Sequence, residues 1–426
     1  MRQYKFGSAL LMTMILVGCG GGGSDIPAKS KFTSQVSFGD SLSDVGSYKV
    51  GLVSGIGGGQ FSINGANASG QAANGNNITN WTEQMAISLG LPAPCAAQTG
   101  LDNGSAVTST TPAGTPAGTV ISVSDKSATC SGYAQGGSRV TDPIGIGNKL
   151  FRVDPKKPTG FALTVPVVTQ IANHLAAHGG KFSGTEVVTV MAGANDVLFQ
   201  LNSLKFGAID AVTAAVPAQI PNEIALGHCL QSEAATVCVD QAVATLTPTV
   251  GAQYLATNAP LAVQALGLAA GQLVAAVNTQ ILANGAKFVT VVNIPDIGTT
   301  PFAATLPASS LGLVNKMVTT FNTVLNGLAT NPNVLFVDAN TASHDETVNP
   351  TSYGLTNVKD AACGVNPLAL TSLACKASNL ITDAKTGVQV KIDDHYLFAD
   401  DVHPTPYGHF LFAQYVLQAM NKKGWN

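Results

Sequence analysis

The sequence predicts an α/β fold built on a mostly parallel sheet. Segments of strand length at 34–38, 186–191, 287–294 and 334–338 alternate with segments of helical spacing. That alternation is the βαβ pattern from which parallel sheets are made. The runs at 186–191 and 287–294 are nearly continuous in apolar residues, as strands covered on both faces require. Of the 426 residues, 45% are hydrophobic. That supplies a large core and excludes a disordered chain.

In chain order, residues 34–38 read as a first strand feeding Gly39-Asp40-Ser41. Residues 51–80, rich in Gly, Asn and Ser, read as a long loop or insertion, and 99–127 as loop or irregular β. Residues 165–178 have helical spacing and meet a stop at Gly179-Gly180. Residues 201–257 form an Ala-rich insertion with breaks expected at Pro217, Pro221 and Pro248. A long helix is expected over 260–284, ended by Gly285. Residues 311–329 are helical, 334–338 a strand and 406–420 a closing helix. No internal repeat or dinucleotide fingerprint stands out; Gly57-Gly58-Gly59 lacks the strand-to-helix context of one. Ligands of parallel sheets bind outside the carboxyl ends of the strands.

Only 11% of the residues are charged, against about 25% in an average soluble protein. Lys plus Arg is 21 and Asp plus Glu is 24, a net charge of −3. Without a basic excess to neutralise phosphates, nucleic acid is not an expected partner.

The first residues read as an address. Arg2 and Lys5 precede an apolar stretch over 9–17 that is too short to span a bilayer. It ends Leu16-Val17-Gly18-Cys19, which resembles a lipobox, the signal for cleavage before the cysteine and lipidation of its thiol. Gly20 rather than Asp follows, so that position carries no signal for inner-membrane retention. The expected organisation is a signal peptide over 1–18, a flexible tether over 19–31 and a single domain over 32–426. Insertions are expected at about 51–130 and 201–257. The chain is expected to be exported, either anchored at an outer membrane through Cys19 or extracellular, and to be a monomer.

Six further cysteines remain: Cys95, Cys130, Cys229, Cys238, Cys363 and Cys375. An even count in an exported chain suggests disulfides. Sequential pairing is the simplest of the fifteen possibilities, because each pair lies within one apparent loop region. A metal site is not expected. The chain has no CxxC, and only His228 lies near a pair. His174 and His178 are four apart on a helix, but without an HExxH context they read as a partly exposed helix face.

Three places carry chemistry: 38–44 (FGDSLSD), 193–196 (GAND) and 400–405 (DDVHPT). Each lies at the carboxyl end of an expected strand or before a helix start, so in a parallel sheet they meet along one edge. A serine hydroxyl is a poor nucleophile without an adjacent base. His403 supplies such a base for Ser41. Asp400, three residues earlier, reaches the other ring nitrogen and fixes its tautomer. Asp401 is the alternative acid, and His395 and His409 are the alternative bases. An oxyanion would find donors in the Asn195 amide, the Ser41 N–H and a glycine N–H. Asp44 and Asp196 read as loop-holding carboxylates. Trp81 and the aromatics of 396–398 read as core.

These blocks resemble the SGNH/GDSL hydrolases, a superfamily of serine esterases and lipases. GDSLSD at 39–44 maps the nucleophile onto Ser41, GAND maps an oxyanion donor onto Asn195, and DDVH maps the remaining triad members onto Asp400 and His403. The stretch 132–138 (GYAQGGS) resembles the second block and maps the backbone donor onto Gly137, with Gly136 beside it. Gly132 stands where the family often has Asn. The stretch 291–296 (VVNIPD) resembles the fourth. The similarity runs from about 34 to 420. It implies a three-layer αβα sandwich with a flavodoxin-like five-stranded parallel sheet, no metal and no organic cofactor. The GxSxG elbow of α/β-hydrolases is absent. The expected activity is carboxylic ester hydrolysis on a small-molecule or lipid ester through an acyl-enzyme on Ser41, with the stretches 42–80 and 201–257 as pocket walls. Phospholipase, polyester hydrolase, O-acetyl-glycan esterase and acyltransferase are rivals on the same site. A non-catalytic surface lipoprotein is the rival of another class.

Overall fold

The computed structural model describes residues 32–49, 51–65, 80–99, 124–144, 164–233, 235–368 and 370–426. The expected signal peptide, the tether and Cys19 lie outside them. The central sheet has four regular parallel strands in the order β1 (Gln35–Gly39), β2 (Val187–Met191), β3 (Phe288–Val292) and β4 (Val334–Val337). The place of a fifth strand, beside β1, is filled by residues 131–135. Ser37 N–H donates to the Ser131 carbonyl (3.0 Å), Tyr133 N–H to that of Ser37 (2.7 Å) and Gln135 N–H to that of Gly39 (3.1 Å). This edge is irregular because the segment is shared. Its other side bonds residues 95–97, and the Cys95–Cys130 disulfide ties the two together. Gly132 suits the crowding: a Cβ there would lie 2.6 Å from Val45 Cγ2 and 2.9 Å from the Cys95 carbonyl.

The helices that matter are α1 (Trp81–Ser88), α2 (Val167–Ala177), α3 (Ala194–Ala225), α4 (Val237–Leu246), α5 (Ala252–Ala276), α6 (Ala308–Leu325), α7 (Ala339–Val348) and α8 (Pro406–Lys422). Val188, Val190, Val289 and Val291 pack against α2, α3, α5 and α6. Val187, Met191, Val292 and Val337 pack against α1 and α8. Alternate strand residues thus feed opposite layers, and the continuous apolar runs are accounted for by a sheet buried on both faces. A two-stranded parallel sheet, β5 (Asn357–Ala361) with β6 (Tyr396–Phe398), leads into the last helix.

The insertion differs from expectation. α3 continues through Pro217 and Pro221, and α5 through Pro260. Each interior proline costs about 3 kcal/mol of helix stability. Here the far half of α3 is held by packing of Val212 and Val216 on Ala242 and Leu246 of α4, and by the Cys229–Cys238 disulfide. Pro248 sits in a π-helical turn, Thr247–Gly251, that joins α4 to α5. The helical run Val237–Leu282 is long and apolar enough to cross a membrane, but Leu266, Leu273 and Ile281 along it are buried in the sheet's core.

Candidate active site

The site lies at the carboxyl edge of the sheet. β1 ends at Gly39, where an added Cβ would lie 2.4 Å from the Met191 carbonyl, so only glycine lets β1 and β2 approach. Gln170 of α2 clamps this residue from both sides. Its Oε1 accepts the Gly39 N–H (2.8 Å) and its Nε2 donates to the Gly39 carbonyl (2.8 Å). The turn that follows is held by Asp40, whose Oδ1 accepts the Leu42 N–H (3.1 Å) and whose carbonyl accepts the Ser43 N–H (3.1 Å). Ser41 stands at the top of that turn.

β6 delivers the second strip of the site. The loop after it closes through Ala399 N–H donating to the His403 carbonyl (2.7 Å). Thr405 then caps α8, its hydroxyl accepting the Gly408 N–H (3.1 Å). Within the loop, Asp400 Oδ1 accepts the N–H groups of Val402 (3.0 Å) and His403 (2.8 Å). Its Oδ2 accepts the Ser372 N–H (2.8 Å). His403 Nδ1 lies 2.9 Å from both carboxylate oxygens, and Nε2 lies 2.8 Å from Ser41 Oγ, 362 residues away in sequence. A carboxylate only accepts, so Nδ1 carries the proton and Nε2 is left as the base facing the hydroxyl.

The electrostatics agree with the geometry. Burial alone would raise Asp400, but the His403 ring and the N–H donors outweigh it and hold the carboxyl well below its usual range. Burial alone would lower His403, but the Asp400 carboxylate outweighs it and the ring is raised above its usual value. The neighbouring Asp401 is exposed, and the ring hydrogen bond goes to Asp400. Asp40 is buried beside the ring, and that burial pushes it up to about 7. Its Oδ2 has no hydrogen-bond partner among the described residues.

Asn195 opens α3 just past β2. Gly193 makes the turn possible at φ +112°, and a Cβ there would lie 2.5 Å from the Phe321 ring. Asn195 Nδ2 donates to the Ser138 carbonyl (2.9 Å), which orients the amide. Asp196 accepts the Val140 N–H (3.0 Å) and Arg139 Nε (3.2 Å), tying the 136–140 loop to the same helix start. Of the two adjacent glycines, Gly136 donates its N–H to Asp44 Oδ2 (2.9 Å) and is occupied. Gly137, at φ +80°, lines the cavity with Ser41 and Asn195. Asp44 also accepts the N–H groups of Gly46 and Ser47, so both motif carboxylates hold loops.

Beside Ser41 opens a cavity of about 200 Å³. For scale, an apolar cavity of about 150 Å³ holds benzene. Trp81, Met191, Ile297, Leu397 and Phe412 make its lining predominantly apolar. The insertion at 201–257 is expected as a wall, and none of its described residues lines the cavity. Leu198 is the last contributor from α3, because the helix then carries the chain away from the sheet edge. The earlier stretch, 42–80, contributes Leu42 and Phe61; residues 66–79 lie outside the described ones.

Of the other singled-out histidines, His395 and His174 are engaged elsewhere. His395 stacks on Tyr407 (centroids 3.7 Å) with Nδ1 3.0 Å from the Gly354 carbonyl. His409 lines the cavity, but burial pushes it down to about 3. His174 is 3% exposed and stacked on Phe182, so only His178 is on the exposed helix face expected for both. Among the described residues, no group of three or more His, Cys, Asp or Glu side chains is placed to hold a metal. The six cysteines pair sequentially, the third pair being Cys363–Cys375.

Three contributors escaped sequence reading: Gln170, Ser372 and Phe61. The Phe61 ring lies 4.9 Å from that of His403. Gln170 left a trace, as a polar residue in the buried stripe Val167, Ile171, His174 of α2. Ser372 acts through its backbone, which no side-chain pattern reveals.

The comparisons with known proteins bear on the family. The family model described as GDSL-like Lipase/Acylhydrolase matches residues 35–416. The chain is also similar to Lipase 1 of Photorhabdus luminescens, 34% identical over 93 residues. That stretch is 21% of this chain and 12% of that protein, so the chain spans a small part of the relative's length.

Proposed function

The chain belongs to the GDSL-like lipase/acylhydrolase family, and from that premise we propose that it hydrolyses carboxylic esters through an acyl-enzyme on Ser41. His403 Nε2 takes the Oγ proton as Oγ bonds to the ester carbonyl carbon. The charge that develops on the carbonyl oxygen is met by the N–H groups of Ser41 and Gly137 and by the Asn195 amide. Loss of one such donor costs about 2.7–4 kcal/mol of barrier. Collapse breaks the bond to the alcohol, which leaves with the proton from His403. Water, deprotonated by the same nitrogen, then releases the acid and restores Oγ–H. The observation that carries this reading is the 2.8 Å contact of Nε2 with Oγ, backed by Asp400 on Nδ1. The apolar cavity beside Ser41 favours an apolar acyl chain over a sugar.

In the same reading, residues 32–426 act as one monomeric catalytic unit, carried on a lipid at Cys19 and a tether over 19–31. The three disulfides favour an oxidising compartment. The test is turnover of p-nitrophenyl esters of increasing acyl length by protein lacking residues 1–19, beside Ser41→Ala. Wild-type turnover, with a loss of at least about 10³-fold in the variant, is expected. If the wild type neither turns over any ester nor reacts with a fluorophosphonate, the reading falls.

A further inference from the structure

The cavity contains a carboxyl group that the ester chemistry does not use. Ala339, Ser343 and Glu346 of α7 all line it, and their spacing of four and three residues puts them on one helix face. α7 begins at the sheet's carboxyl edge, directly after β4. Glu346 therefore lies two turns along the helix from that edge, about 10 Å from Ala339 at the helical rise per residue. It is 7% exposed. Among the described residues its carboxyl has no hydrogen-bond or ion-pair partner. Burial pushes Glu346 up to about 8, with the nearby Asp345 acting in the same sense. At neutral pH it is a carboxylic acid, offering one O–H donor and a carbonyl acceptor. The pair is not fully enclosed and opens on the cavity, so whatever fills the cavity meets it; nearly all polar groups inside proteins find partners. The cavity's lining elsewhere includes the apolar side chains of Leu397 and Phe412.

We propose that Glu346 is a specificity residue deep in the acyl pocket, and that the pocket takes acyl chains bearing a hydroxyl group distant from the ester carbonyl. A hydroxyl both accepts and donates, so it satisfies both halves of the carboxyl at once. A plain alkyl chain of equal length displaces solvent from Glu346 and leaves both halves unmade. This inference rests on the esterase reading and names its substrate class.

The test uses matched p-nitrophenyl esters of increasing chain length, ending in methyl or in hydroxyl, with the acetate as a substrate too short to reach Glu346. Wild type, Glu346→Gln and Glu346→Leu are compared by kcat/KM. At one chain length the wild type should favour the hydroxyl ester by about tenfold to a hundredfold, the range of one buried polar group left unpaired. Glu346→Leu should reverse that preference, Glu346→Gln should keep part of it, and acetate turnover should be equal in all three. The assignment is overturned if the wild type shows no hydroxyl preference at any length, or if Glu346→Leu keeps the wild-type ratio while acetate turnover is intact. Should Glu346→Leu fail to fold, the wild-type series and Glu346→Gln decide: an alkyl-preferring wild type, or an unchanged ratio in Glu346→Gln together with no wild-type preference, rejects it. If the wild type does not hydrolyse even the acetate, the esterase reading itself fails, and this assignment with it.

Discussion

Asp400 accepts three backbone N–H groups and still faces the His403 ring with both oxygens. It is held by more bonds than it uses on the ring, so the ring has one orientation. Asp400→Asn should leave the loop in place and lower kcat by about 10⁴-fold, because an amide also stabilises the wrong tautomer. The pH profile offers a second check. His403 must be neutral to accept a proton, and its proton affinity is raised above the ordinary histidine value. Activity should therefore fall on the acid side with an apparent pKa above 6.5. Asp40 adds to that rise, so Asp40→Asn should move the acid limb to lower pH; an unmoved limb would show that Asp40 does not act on the ring. Glu346 gives a stability signature of opposite sense to Asp400. Its pKa is raised on folding, so its contribution is whole below the unfolded value of 4.5 and is lost as pH rises towards about 8. Glu346→Gln should therefore gain melting temperature relative to wild type at pH 9 and show little gain at pH 4. Asp400, depressed on folding, contributes above its unfolded value of 3.8, and that contribution disappears in acid.

At the scale of elements, the third disulfide supports the site at one remove. Cys363 is bonded by its N–H to the Ala399 carbonyl (2.8 Å), and Cys375 closes the loop that carries Ser372. Ser372 N–H in turn holds Asp400. Replacing Cys363 and Cys375 together by Ala should cost up to about 3 kcal/mol of stability for a loop of this length. It should also lower kcat more than it raises KM, since the bond at risk orients the triad. Equal kcat in folded double variant and wild type would confine the disulfide to a stabilising role. The elements themselves were largely legible in the sequence, because strands buried on both faces and amphipathic helices announce themselves by local periodicity. The prolines of α3 were misleading for the same reason. A local rule assigns breaks at Pro217 and Pro221, whereas the helix is held by α4 and a disulfide, both remote in sequence.

For the molecule as a whole, the three-layer arrangement puts every motif at one edge and leaves the helical insertion away from it. The insertion and α5 expose apolar side chains: Leu226, Leu230, Leu261 and Leu268 are all more than half exposed. The proposed anchor is tested separately from catalysis. Cys19→Ser should abolish incorporation of labelled fatty acid and move the protein from the membrane to the soluble fraction, with turnover of a soluble ester unchanged. Persistent membrane association without label would point to the apolar insertion rather than to a lipid.

The sequence by itself determined the α/β class, the disulfide count and the candidate triad. Each rests on residue type and spacing, and parallel strands bring all their carboxyl ends to one edge whatever the loops between them. Only the tertiary structure decided which glycine keeps its N–H available and which residues line the cavity beside Ser41. Asp44 engages Gly136 across 92 residues, and Glu346 reaches the Ser41 cavity from the helix that follows β4. Contacts of that kind are set by how layers pack, and packing leaves no periodic trace in the chain.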